Sequence, residues 1–235
     1  MFKLDSPLMN FLGKVCDIMI LNVLVIVFSI PIFTAGAAIT AAYSVAYKMV
    51  KDEESYIIKG FWKAFKENFK QSTAIWLIFL AVFTILFFDY RIMFFSEMEL
   101  NELVKYGVIA VTVILIMAFS FVFPIQARFR NTVKNTIKNA FLMALSHLPS
   151  AILFAVSYAV PVIAFYFVPQ IGPVVLMLGF GLLPYTKSFL FLRIFKKYEV
   201  MIENHKHEEE PAGEGIFAVS DAMGKLSENN KKVKK

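Results

Sequence analysis

The sequence predicts an all-α membrane protein, a polytopic bundle of transmembrane helices, and three observations support this fold class. The chain is 58% hydrophobic and only 18% charged, whereas a water-soluble domain carries about 25% charged residues. Two short basic segments lie among the apolar stretches and resemble each other. Asp, Glu, Lys and Arg are absent from four long runs, which are residues 18–47, 71–88, 106–127 and 139–186.

The lengths of these runs set the number of membrane crossings. A hydrocarbon core about 30 Å thick needs about 20 apolar residues of helix. Backbone groups in lipid must be satisfied internally, and the runs lack the alternation typical of a barrel, so helices are predicted. Runs 18–47 and 139–186 are too long for one straight span, and each is predicted to hold two. Six spans follow, at residues 15–33, 36–50, 71–90, 103–123, 148–168 and 172–194.

The first two spans are separated by residues that interrupt a helix. Pro31 lacks a backbone donor and disfavours helix at the residue before it. Thr34 and Gly36 then offer a cap and a turn before the second span. That span of 15 residues reaches only about 22 Å, so a re-entrant or interfacial helix is the alternative. The apolar run continues to residue 47, which disfavours a cleaved signal peptide.

The two basic segments, residues 56–70 and 126–143, are predicted to be amphipathic elbow helices at the membrane interface. The first has apolar residues at helical spacing and lysines opposite: Ile58, Phe61, Trp62, Phe65 and Phe69, against Lys59, Lys63, Lys66 and Lys70. The second repeats this pattern: Phe129, Val133, Ile137 and Phe141, against Arg130, Lys134 and Lys138. Segment 63–70 aligns with 131–138, pairing Phe65 with Val133, so a span–elbow–span unit is predicted to be duplicated.

Proline and charge set the remaining boundaries. The fourth span is predicted to end at Pro124, and residues 169–173 form a tight turn between the last two spans. The membrane domain is predicted to occupy residues 1–199. Residues 200–235 are charged and are predicted to form a disordered cytoplasmic tail.

The distribution of Lys and Arg predicts the orientation, because short loops rich in these residues stay in the cytoplasm. Segment 48–70 holds six lysines and segment 126–138 holds four basic residues. Both elbows and both termini are therefore expected on the cytoplasmic side of the membrane. Anionic lipid beside the spans explains the net charge of +6 more simply than nucleic acid does.

Polar residues near the spans are the candidates for function or partner contact. Asp17 could pair with Lys14 or with an elbow, or could satisfy the end of the first helix. Asn68, Gln71, Arg128 and Asn131 lie at matching elbow regions, where Arg128 could hold an anion and where local capping is the alternative. If these four residues converge on one inward space with Asn22, Thr40 and Tyr43, transport or ligand sensing is favoured, whereas dispersal favours an accessory role. Lys187 and Arg193 are expected to extend to the inner surface.

No catalytic arrangement stands out in the sequence. Neither a phosphate-binding glycine loop nor zinc-type His/Glu spacing occurs, and the single Cys16 excludes an intramolecular disulfide. We therefore expect a protein that is not an enzyme, with no cofactor and no metal site.

Four strings resemble the YesL-like family of bacterial integral membrane proteins, whose function is unknown. They are SIPIFTAGAAITAAYSV (29–45), GFWKAFKENFKQSTAIW (60–76), PIQARFRNTVKNTIKNAF (124–141) and LPYTKSFLFLRIFKKYE (183–199). The most specific positions include Pro31, Thr34, Gly36, Trp62, Asn68, Gln71, Arg128 and Asn131. The resemblance implies an accessory or regulatory component associated with carbohydrate uptake, with a sugar transporter of the ATP-driven class as the candidate partner. A small-solute transporter in its own right is the alternative, and the oligomeric state is not indicated.

Overall fold

The computed structural model describes residues 7–53, 56–95, 101–168, 170 and 172–209, and this part of the chain is helical without strands. Seven α-helices follow in order: α1 (Pro7–Ser29), α2 (Ala35–Val50), α3 (Ile57–Phe95), α4 (Glu102–Arg128), α5 (Val133–Ser146), α6 (Leu148–Phe167) and α7 (Gly172–Glu209). Residues 96–100 between the third and fourth predicted spans, parts of the turn 169–173 and tail residues 210–235 lie outside the described residues.

Four of these helices are long and apolar enough to cross a membrane. They are Phe11–Ser29 of α1, Ile57–Phe95, Glu102–Arg128 and Leu148–Phe167, which is consistent with the predicted helical membrane protein. Helix α2 has 16 residues and reaches about 24 Å, less than the roughly 30 Å of a bilayer core. Its crossing and the total of six spans stay predictions.

The chain divides into two units by its internal contacts, Met1–Leu192 and Arg193–Lys235. The first unit contains α1 to α6 and α7 as far as Leu192. Of the second unit the structure describes residues 193–209, which are helical. Helix therefore extends past residue 200, where the sequence predicts the start of a disordered tail.

The structure differs from the predicted spans and elbows at three places. The second predicted elbow, residues 126–143, is not one helix, because the chain is extended at Phe129 and Thr132, between α4 and α5. The first elbow and the third span form one uninterrupted helix, α3, of 39 residues and about 58 Å, because nothing between residues 57 and 95 breaks a helix. Helix α4 does not end at Pro124 but continues to Arg128 with the proline inside it. Proline is tolerated within membrane helices where neighbouring groups satisfy the freed backbone.

Small residues allow α1, α2 and α3 to pack closely around one apolar core. Ala37, Ala38, Ala41 and Ala42 of α2 are buried between Leu21 of α1 and side chains of α3. At Gly36, an added Cβ would lie 2.5 Å from the Cβ of Trp76 and 2.7 Å from the carbonyl oxygen of Ser72. The helices approach here as small residues permit in membranes.

A cluster of aromatic rings joins α4, α6 and α7 within the first unit. Phe154 stacks on Phe191 with ring centroids 4.3 Å apart. Phe121 meets both rings edge-on, at 5.6 and 5.2 Å. Such tilted and offset contacts are favourable beyond the apolar area that they bury, so this cluster holds the three helices together.

Candidate functional site

A cavity of about 980 Å³ lies where the end of α2, the first third of α3 and the α4–α5 connection meet. Its lining residues come from three stretches, 44–53, 60–71 and 126–132. The volume is at the upper end of the roughly 300–1,000 Å³ typical of small-molecule sites. The cavity therefore has room for a ligand at the elbow end of the helices.

Positive charge dominates the lining of this cavity. Seven basic residues, Lys48, Lys51, Lys63, Lys66, Lys70, Arg128 and Arg130, face two acidic residues, Glu53 and Glu67. Lys51 lies 3.9 Å from Glu53, and the Lys66 ammonium lies over the Trp62 ring at 4.6 Å. Within the part of the chain that the structure describes, Lys48, Lys63, Lys70 and Arg130 form no ion pair. This excess of cations makes the cavity suitable for an anion.

A network of amides forms the inner wall. Gln126 is buried and donates from Nε2 to Gln71 Oε1 at 2.7 Å, with Asn68 Oδ1 at 3.4 Å. Its own Oε1 accepts from the Thr136 hydroxyl at 2.9 Å. Asn68 Nδ2 donates in turn to the Ala64 carbonyl at 2.9 Å. Gln126 thus connects α3 to both α4 and α5 and fixes the side chain of Gln71.

The connection between α4 and α5 is extended, which brings its residues to the cavity. Phe129 has φ −113° and ψ 135°, and Thr132 has φ −72° and ψ 157°. Thr132 caps α5 by accepting from the Asn135 N–H at 3.4 Å. Because Thr132 lines the cavity, the positive end of the α5 dipole lies at its wall and adds to the basic character.

The structure brings four of the sequence candidates together. Asn68, Gln71, Arg128 and Asn131 all line the cavity, although they are separated by up to 63 positions in the chain. The other three polar residues of that set are not in the lining, and each has its own local contact. Asn22 accepts from the Gly181 N–H, the Thr40 hydroxyl lies 2.9 Å from that of Ser72, and Tyr43 packs edge-on against Phe191.

The remaining candidates have structural contacts. The Thr34 hydroxyl lies within 2.7 Å of the Pro31 carbonyl and also contacts the Phe28 carbonyl, which closes the turn between α1 and α2. Trp62 is partly exposed and stacks on Phe65 with ring centroids 6.0 Å apart. Gly36 serves the close approach of helices described above.

Asp17 forms neither of the two ion pairs that the sequence allows for it among the described residues. Lys14 instead pairs with Asp52, the ammonium lying 3.0 Å from Oδ1. Asp17 is partly buried on α1, and it has no ion pair with any residue that the structure describes.

Lys187 differs from its prediction, and Gln126 was missed. Lys187 does not extend to the surface, because its side chain is buried against the Tyr158 ring at 3.3 Å and donates to the Phe154 carbonyl at 3.3 Å. Gln126 lies beside Pro124, where a span was predicted to end, and nothing in its local pattern distinguishes it from a boundary residue. If the helix had been predicted to continue through Pro124, Gln126 would have been a polar residue within a helix and therefore a candidate.

These features define a helical protein with membrane-type helices and a basic, amide-walled cavity at one end. Residues 18–90 match the family model described as "Protein of unknown function, DUF624". The match runs from α1 to the far part of α3 and includes Asn68 and Gln71, but it does not reach Gln126 or Arg128. No curated protein and no solved structure matches the chain.

Proposed function

We propose that this chain is a non-enzymatic accessory protein of a bacterial cytoplasmic membrane that recognises an anionic group at its cytoplasmic face. The observation that carries this proposal is the cavity lined by seven basic residues and two acidic ones. In the proposed topology there are six spans, and both termini and the cavity face the cytoplasm, as the concentration of lysine in short connections favours.

The packing beside the cavity favours binding over passage of a solute. Gly36 brings α2 against the backbone of α3 at Ser72. The Thr40 and Ser72 hydroxyls are hydrogen-bonded to each other, 2.9 Å apart and fully buried. These two hydroxyls are thus satisfied inside closely packed helices, which is typical of a structural core.

The proposed partner is a sugar transporter of the ATP-driven class, as the YesL-like resemblance implies. The start of α3 offers a contact surface, since Tyr56, Ile58 and Trp62 are exposed. The Lys59 ammonium lies 5.1 Å from the centre of the Tyr56 ring. Exposed aromatic residues beside lysines suit a surface that contacts lipid headgroups or the inner face of a membrane partner.

Co-purification tests the accessory role. A tagged copy is expressed with an ATP-driven sugar transporter operon, extracted in mild detergent and recovered on the tag. We expect the permease to be recovered, and we expect Lys63→Glu with Lys70→Glu to reduce its recovery. Lys134→Glu with Lys138→Glu makes the same charge change on α5, outside the cavity, and is the matched control. Recovery of this protein alone contradicts the proposal.

Transport by the chain itself is the second candidate, and the convergence of Asn68, Gln71, Arg128 and Asn131 on one cavity favours it. The test is uptake of sugars by vesicles containing only this protein. Uptake above that of empty vesicles, abolished by Arg128→Gln, would replace the accessory role with transport.

Cysteine labelling tests the topology. Lys63→Cys and Lys134→Cys are placed singly in a Cys16→Ala background, because the native Cys16 is exposed. A membrane-impermeant maleimide added to intact cells is expected to label neither position and to label both after permeabilisation. Labelling of either in intact cells contradicts the proposed orientation.

A further inference from the structure

We infer that the basic cavity is a binding site for a phosphate-bearing ligand, an inference that rests on the proposed role of this cavity in recognising anions. The lining carries five more basic than acidic residues. A single carboxylate needs one such partner, whereas a doubly or multiply charged phosphate group uses several. The surplus of charge therefore fits a polyanion better than it fits a monovalent anion.

The donors approach the cavity from separate parts of the fold. Lys48 comes from α2, Lys63 and Lys70 from α3, and Arg130 from the α4–α5 connection. A planar carboxylate is satisfied by one bidentate arginine, while the oxygens of a tetrahedral phosphate point in several directions. Donors that converge from three elements match the tetrahedral phosphate.

Neutral donors complete the site. The Gln71 Oε1 is held by Gln126 at 2.7 Å, so Gln71 keeps its amide N–H groups for a ligand. Thr132 at the wall marks the start of α5, a helix of 14 residues, whose N-terminus favours bound phosphate. Gln126 is here a positioning residue, since it acts through Gln71.

Phosphate of this kind has two sources at a membrane surface. One is the headgroup of an anionic phospholipid, and the other is a soluble phosphate ester. The chemistry recognised by the cations is the same in both, so the experiment has one arm for each source.

The first arm uses the full chain purified in a mild non-ionic detergent and titrated with inorganic pyrophosphate in a calorimeter at constant ionic strength. Succinate is the control anion, because it carries two planar carboxylates. The second arm reconstitutes the chain in phosphatidylcholine bilayers with or without phosphatidylglycerol, and native mass spectrometry measures the lipid that stays bound.

We expect pyrophosphate to bind more tightly than succinate, or phosphatidylglycerol to be retained in preference to phosphatidylcholine. The first result supports the soluble source and the second the lipid source. Lys63→Gln with Lys70→Gln is expected to weaken binding about ten-fold or more, while Lys134→Gln with Lys138→Gln leaves it within about two-fold. Arg130→Gln, on the α4–α5 connection, is a second variant that is expected to weaken binding.

Three results overturn the inference. The first is equal binding of succinate and pyrophosphate without lipid preference, and the second is the absence of binding in both arms. The third is that Lys134→Gln with Lys138→Gln weakens ligand binding as much as Lys63→Gln with Lys70→Gln does. If phosphate does not bind but Lys63→Glu with Lys70→Glu still reduces the recovery of the permease, the proposed function stands and the phosphate site does not.

Discussion

The two basic segments of this chain share a sequence pattern but have different structures. Both place apolar side chains every three or four residues with lysines opposite. The first continues without interruption into the rest of α3. The second is divided between the end of α4, an extended connection and a separate helix, α5, which ends at a break at His147. Similar periodicity thus sets which face is apolar, but it does not set where a helix begins or ends.

Residues outside the shared pattern account for the difference. When segment 63–70 is laid on 131–138, Ala81 falls opposite Pro149 and Ala64 opposite Thr132. Thr132 caps a helix start and Pro149 occupies the first turn of α6, so both residues mark helix beginnings. Alanine at the equivalent positions lets α3 continue.

The cavity shows the consequence for function. It uses Lys63 and Lys70 from the first segment, but from the second it uses Arg128, Arg130 and the other residues that precede α5. Lys134 and Lys138 are not part of the lining. The similar patterns therefore do not contribute equivalent residues to the lining, and the basic cavity lies between the two segments.

Removing a buried ring from the first segment is expected to have the largest effect. Phe65 is 7% exposed and contacts the rings of Phe28, Phe61, Trp62 and Phe69. Phe65→Ala should lower the free energy of unfolding by about 3–5 kcal/mol. Val133→Ala removes the aligned, partly buried residue of the second segment and should cost about 1 kcal/mol or less. Thermal unfolding in detergent, followed by tryptophan fluorescence, measures both, and equal losses would contradict the distinction.

Sequence patterns identified the class of fold but not the connections between elements. Long uncharged runs predicted membrane-type helices because lipid imposes length and polarity on each span. The continuity of α3 was not predicted, since a charged interfacial helix and an apolar span differ in composition yet join without any backbone signal. At Pro124 the error was the opposite one, since a helix end was predicted where α4 continues. A proline within a helix cannot be distinguished from one at a helix end when the neighbouring contacts are unknown.

The site could be anticipated only in part, because some of its residues are positioned by contacts between different helices. Asn68, Gln71, Arg128 and Asn131 could be singled out because their elbows align, and they do meet in one cavity. The hydrogen bonds of Gln126 join α4 to α3 and α5. Contacts between different helices produce no regular residue spacing in the sequence, so they could not be predicted from it. Lys187 could not be placed either, because its burial depends on Tyr158 of another helix.

Disconnecting the two segments is expected to have the second-largest effect. Gln126→Leu removes the amide that joins Gln71 to Thr136 and leaves the buried Thr136 hydroxyl without its acceptor. We expect a loss of about 1–3 kcal/mol in the free energy of unfolding. Adding Thr136→Val should recover part of the loss, because the unpaired hydroxyl is then absent. The double variant melting below Gln126→Leu alone would count against this hydrogen bond.

The start of the second segment gives a smaller expected effect. Thr132→Ala removes the cap on α5, in which the hydroxyl accepts from the Asn135 N–H at 3.4 Å. The loss should be about 1 kcal/mol. Thr132→Asn supplies another capping side chain and should unfold near the wild-type temperature. If alanine and asparagine behave alike in the same fluorescence melt, the side chain of Thr132 does not define the start of α5.

Neutralising the lysines should have the smallest effect on stability in either segment, which separates binding from folding. Lys63, Lys70, Lys134 and Lys138 are exposed, and none forms an ion pair within the described residues. Lys63→Gln with Lys70→Gln, and Lys134→Gln with Lys138→Gln, should each change the free energy of unfolding by less than about 0.5 kcal/mol. If like charges repel across the cavity, the first pair should be slightly stabilising, and more so at low salt because screening is then weaker. Melting curves of both pairs at low and high salt measure this, and a salt-dependent gain confined to Lys63 and Lys70 would show that the cations lining the cavity repel one another in the folded protein.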